Sequence, residues 1–143
     1  MVKDMKKTLK LTLEAKLDNL DAATGFVDQC LDELGAGMKY YMQVELVMEE
    51  LFVNVSKYAY APGTGDLTIE AEMDTDTKRL QLVLKDRGVP FDPLAKDDPD
   101  VSLPAEKRKI GGLGIFFVKN KSDEMHYRYE DGMNIVTVVI NCV

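Results

Sequence analysis

A chain of 143 residues, 45% hydrophobic and 30% charged, is the size of one globular domain and too apolar to be intrinsically disordered. Its formal net charge of −7 argues against a nucleic-acid partner, because Lys6-Lys7 and Lys107-Arg108-Lys109 are too short to make a basic face. No apolar run approaches the roughly 18 residues of a membrane span; without a signal-peptide core or metal-like spacing of Cys30 and Cys142, the chain reads as cytosolic with no membrane partner.

Lys6 to Glu14 alternates, placing Leu9, Leu11 and Leu13 on one face of a strand. Asp18 or Asn19 is placed to cap a helix running to about Leu34, with Leu20, Ala23, Phe26, Val27, Cys30, Leu31 and Leu34 at helical spacing and Gly35-Ala36-Gly37 to end it. Cys30 on this stripe reads as a buried, reduced thiol. A longer helix is predicted from about Met38 to Tyr58, broken by Ala61-Pro62-Gly63-Thr64-Gly65. Asp66 to Met73 and Arg79 to Asp86 read as a strand hairpin. Prolines 90, 93, 99 and 104, with Asp97, Asp98 and Asp100, then make a long connection from Arg87 to Lys109. Connections of this length in a compact domain are usually functional lids or disordered, and a lid over about 92–110 is expected. A short helix from Leu113 to Asn120 and two strands, about Asp123 to Tyr129 and Ile135 to Asn141, complete the chain as a single domain, 1–143. The order predicts an α+β fold: a two-layer sandwich with a mixed, mostly antiparallel sheet and helices on one face.

Three blocks carry possible chemistry. Glu50 and Asn54 are four apart on the long helix and share a face. A carboxylate and an amide oxygen there suit a proton acceptor and a magnesium ligand, since magnesium takes oxygen donors and keeps several waters. Lys57, one turn on, can meet a phosphate. Alone, this pattern is an ordinary solvated helix face. The second block, Asp86-Arg87-Gly88-Val89-Pro90-Phe91-Asp92-Pro93, ends an apolar strand. A carboxylate at Asp86 would accept from the exocyclic amine of adenine and oppose the carbonyl of guanine, while Gly88 would let backbone pass close to a flat base. The third block, Gly111-Gly112-Leu113-Gly114-Ile115, opens a helix, where exposed amides form an anion site. It is neither a Walker A loop nor a Rossmann fingerprint. His126, the only histidine, lies in a predicted strand with no partner at catalytic or metal-like spacing and reads as structural.

In this order the blocks resemble the N, G1 and G2 boxes of the Bergerat-fold ATPases, which include sensor histidine kinases, MutL and type II topoisomerases. Over essentially the whole chain the likeness is to the anti-sigma-factor serine kinases of the RsbW and SpoIIAB type. Pro90-Phe91-Asp92-Pro93, Gly114-Ile115-Phe116-Phe117-Val118-Lys119, Asp123-Glu124 and the closing Asp131-Gly132-Met133-Asn134 carry it. The resemblance implies the Bergerat ATP-binding fold, ATP and Mg2+ as cofactors, a sigma factor and a STAS-type anti-anti-sigma protein as partners, and a homodimer. It makes Glu50 the base that deprotonates a substrate serine and Asn54 the magnesium ligand. Asp86 and Gly88 would hold adenine. Gly111, Gly112, Leu113 and Gly114 would meet the phosphates, with Lys57 and Lys109 as candidate cations. Tyr58 stands where these kinases often carry histidine, so Asn54-Val55-Ser56-Lys57-Tyr58 is closer to the histidine-kinase version of the box and lies at the nucleotide site. Two other readings stay open: a nucleotide-binding module that sequesters a partner with little catalysis, and the ATP-binding half of a two-component sensor.

Overall fold

The alternating leucines near the N-terminus form strand β1 (Lys6–Glu14) in the computed structural model, which describes residues 6–95 and 113–143. β1 pairs with β2 (Asp66–Asp74), β2 with β3 (Arg79–Asp86), β3 with β5 (Met133–Asn141) and β5 with β4 (Glu124–Glu130), giving the order β1-β2-β3-β5-β4. All ladders among the described residues are antiparallel, which sharpens the expectation of a mixed sheet. The reason is local: β2–β3 and β4–β5 are hairpins, and the second docks through β5, which runs opposite to β3.

The β4–β5 turn is chemically specified. Glu130 pairs with Met133, leaving Asp131-Gly132 as a two-residue loop with φ of 54° and 76°. Positive φ at both central positions is the hairpin turn that Asp-Gly favours. It sets the register of β5 against β4, while the separate β3–β5 ladder places Asn134 directly across from Asp86.

Helices α1 (Leu20–Leu34), α2 (Met38–Tyr58) and α3 (Leu113–Lys121) lie on one side of the sheet. Alternate residues of β2 and β3, among them Leu67, Ile69, Leu82 and Leu84, meet Val27, Leu31, Met48 and Phe52 in one core. Fully burying side chains of this size contributes roughly 1.5–3 kcal/mol each before entropy is counted. The other face of the sheet is polar, with Lys85 paired to Glu70 at 3.1 Å and Thr12 to Thr68 at 3.0 Å.

The start of α1 departs from expectation. A 3-10 turn, Leu17–Asn19, precedes it, and Asn19 sits at the cap position without a capping side-chain bond. Its amide instead donates to the Glu14 carbonyl at 2.9 Å, holding the strand exit. The helix ends as the glycines predict: Gly35 adopts φ 70°, Ala36 N donates to the Leu31 carbonyl, and Lys78 Nζ donates to the Leu34 carbonyl at 2.7 Å. Both cysteines are buried and free, as the sequence suggests for Cys30, and burial pushes the Cys30 thiol up to about 12, so it stays protonated. His126 lies on an exposed strand position 3.1 Å from Glu124. Among the described residues, no helix is long and apolar enough to cross a membrane.

Candidate functional site

The solvent edge of α2 and the end of β3 meet along one groove. Glu50, Asn54, Lys57 and Tyr58 lie on successive turns of α2 and line its first part together with Val53, Gly114 and Ile115. Asn54 and Tyr58 continue into its second part, walled by Val55, Ala59, Phe91, Pro93 and Val136, with Asp86 and Asn134. The structure thus brings together residues from all three sequence blocks. Lys109, Gly111 and Gly112 lie outside the described residues, as does the expected lid over most of its length; Leu113 is the first residue of α3.

Glu50 faces the first turn of α3. A Cβ built on Gly114 would stand 2.2 Å from Glu50 Oε2, so glycine is what lets this carboxylate and the helix start approach each other. The positive end of a helix there favours an anion, either the Glu50 carboxylate or a phosphate. Lys57 has no carboxylate within ion-pair reach among the described residues, which leaves its ammonium available to an anionic ligand.

Asp86 is buried to 6% exposure at the end of β3. Its Oδ1 accepts from Gly88 N at 2.9 Å and from Asn134 Nδ2 at 2.9 Å, and no described residue donates to Oδ2. An acceptor oxygen is therefore left for a ligand in the cleft, which suits the amine edge of adenine. Tyr58 and Phe91 stack across the cleft with centroids 5.1 Å apart and planes 13° from parallel. This ring pair and Asp86 bound the second part of the groove.

Gly88 lies against the end of α2. A Cβ there would lie 2.1 Å from the Ala59 carbonyl oxygen and 2.5 Å from its carbon. The close approach is to the end of α2, not to a free cleft, and Val89 N donates to that same carbonyl at 2.8 Å. Gly88 seats the segment after β3 on the helix. Gly88→Ala is expected to destabilise the fold by about 1–3 kcal/mol, because the clash is with backbone that has nowhere to relax. Urea unfolding checks this; an unchanged midpoint would mean that the segment is not seated as described.

The sequence shows Asn134 only as part of a hairpin and gives no sign of its partners. It is 4% exposed and all its hydrogen-bonding atoms are used. Nδ2 donates to Asp86 Oδ1 and to the Val89 carbonyl at 2.8 Å; Oδ1 accepts from Phe91 N at 3.0 Å and from the Tyr127 hydroxyl at 2.5 Å. Burial, aided by the carboxylates of Asp92 and Asp86, raises the Tyr127 phenol above its ordinary value, so it is a donor at neutral pH. Tyr60 clamps the same region, its hydroxyl donating to the Asp66 carbonyl and accepting from Arg87 N, both at 2.7 Å.

The groove fits magnesium-ATP in its donors. It offers an acceptor for an amine at one end, apolar walls for a base, and an amide oxygen, a cation and a helix N-terminus at the other. Among the described residues no three acidic, histidine or cysteine side chains cluster as metal ligands. A magnesium ion on Asn54 would complete its octahedron with phosphate oxygens and water.

Known proteins agree with this architecture. The chain is 24% identical to the serine-protein kinase RsbW of Listeria monocytogenes over 137 residues, covering 92% of this chain and 86% of that protein. The crystal structure of the RsbU and RsbW domains of a Mycobacterium tuberculosis protein superposes with a TM-score of 0.65 at 16% identity, over 94% of this chain and 32% of that one. The chain thus spans about a third of the length of that larger protein. The SiaB–SiaC complex of Pseudomonas aeruginosa contains a chain that matches with a TM-score of 0.57 at 17% identity, over 91% of this chain and 88% of that one. The family model for the histidine kinase-like ATPase domain matches residues 13–140, and the chain belongs to that family.

Proposed function

We propose that this chain is a magnesium-ATP-dependent serine/threonine protein kinase acting as a cytoplasmic anti-sigma factor. It phosphorylates a serine of a STAS-type anti-anti-sigma partner and otherwise sequesters a sigma factor, working as a homodimer. The observation that carries the reading is the placement of Glu50, Asn54 and Lys57 in one groove with the first turn of α3, while Asp86 closes its far end. Likeness to RsbW over nearly the whole chain supports the choice of a protein serine as acceptor.

Bound magnesium-ATP supplies the phosphoryl group and the cation that neutralises its charge. Glu50 takes the proton of the serine hydroxyl as that oxygen becomes the nucleophile. Asn54 supplies a neutral oxygen ligand that adds no negative charge beside the phosphates. Lys57 and the amides at the start of α3 hold the anionic end. Asp86 fixes the base through its free Oδ2, and Val55, Ala59 and Val136 exclude water from around it.

Nucleotide binding is the part to test first. Magnesium-ATP at about a hundred times its Kd should add roughly 2.7 kcal/mol of stability. For a domain of this size that raises Tm by roughly 5–10 °C. Thermal unfolding across a wide ATP series checks this, and a flat Tm contradicts the proposal.

A further inference from the structure

Asp86 can select a base only if its carboxylate is held in one orientation, and the structure shows what holds it. On the reading that adenine enters this cleft, we propose that Asn134 is a positioning residue for base selection. It fixes the Asp86 carboxylate and the Val89–Phe91 segment as one unit.

The geometry supports this at each atom. Asp86 and Asn134 are directly opposed in the β3–β5 ladder, with both side chains on the helix-facing side. The Asn134 amide donates one N–H to Asp86 Oδ1 and the other to the Val89 carbonyl. Oδ1 of Asp86 is thereby occupied twice, by Gly88 N and Asn134 Nδ2, which turns Oδ2 into the oxygen that reads the ligand. The carbonyl end of Asn134 accepts from Phe91 N, and Phe91 stacks on Tyr58 across the cleft. One side chain therefore sets both the acceptor that faces an amine and the ring that bounds the base. The Tyr127 hydroxyl completes the amide's own set of partners, so the head group has one orientation without unsatisfied atoms. Asn134 itself needs no contact with the ligand for this.

The test compares ATP with inosine triphosphate, which differs by a carbonyl in place of the amine, using calorimetry on the unsubstituted protein, Asn134→Leu and Asn134→Asp. Asn134→Leu removes both donors. Asn134→Asp is nearly isosteric but sets a second carboxyl against Asp86, so that the pair repels or shares a proton and the amide's hold on the Asp86 carboxylate is lost. The unsubstituted protein should prefer ATP, and either variant should narrow that preference by roughly tenfold, chiefly by weakening ATP. Unfolding without nucleotide is measured alongside. A ratio of the two Kd values that stays at its original level in the folded variants, whatever their Tm, means that Asn134 is merely structural and overturns the proposal alone. Equal Kd values for the two nucleotides in the unsubstituted protein overturn the adenine reading of the cleft and the proposal with it. If Asn134→Leu does not fold, Asn134→Asp carries the comparison by itself.

Discussion

Glu50→Gln is expected to slow phosphoryl transfer by about 10²–10⁴-fold, the usual contribution of a positioned general base, while leaving the Kd for magnesium-ATP essentially unchanged. Glutamine has the same shape, so it should preserve the contact with Gly114, where glycine alone leaves room for a side chain of this length. It cannot take a proton at neutral pH. Single-turnover transfer and calorimetric binding, measured on the same preparation, separate the two effects. If binding falls as steeply as transfer, Glu50 is packing against the start of α3 and not acting as a base. If neither falls, Glu50 is not the base and the proton of the serine hydroxyl leaves by another route.

The second large effect belongs to Asp86. Asp86→Asn should weaken ATP by roughly 10- to 150-fold, the worth of a hydrogen bond to a charged group that is lost or reversed. The neutral amide would still meet Gly88 N and Asn134 Nδ2 through its oxygen, but it would then turn a donor toward the amine of adenine. Inosine triphosphate, with an acceptor at that position, should lose much less. Calorimetry with both nucleotides checks this. An equal loss for both would mean that Asp86 supports the fold of the β3 end and does not read the base.

Much of this is legible in the sequence. Alternation in β1 and β2 and the helical stripes of α1 and α2 come from periodicity, which burial enforces, and the termini at Gly35 and Asp131-Gly132 come from positive φ. The groups on α2 were legible for the same reason: Glu50 and Asn54 share a face because a helix repeats every 3.6 residues. What stayed hidden depends on pairing between distant strands. Nothing local in Met133-Asn134 says that the asparagine faces Asp86, 48 residues earlier, because only the β3–β5 register puts them opposite each other. The close seat of Gly88 on Ala59 is equally hidden, since its surroundings are set by where α2 ends. Asn19 was expected to cap α1 and is drawn instead to the Glu14 carbonyl by the intervening 3-10 turn.

Transfer of labelled phosphate from ATP to a STAS-type partner, followed by identification of the phosphorylated amino acid, tests the central claim most directly. The expected result is acid-stable label on a serine of the partner, dependent on magnesium and lost with Glu50→Gln. Label that is acid-labile and sits on histidine, or no transfer to any STAS-type protein under conditions where ATP binds, would contradict it.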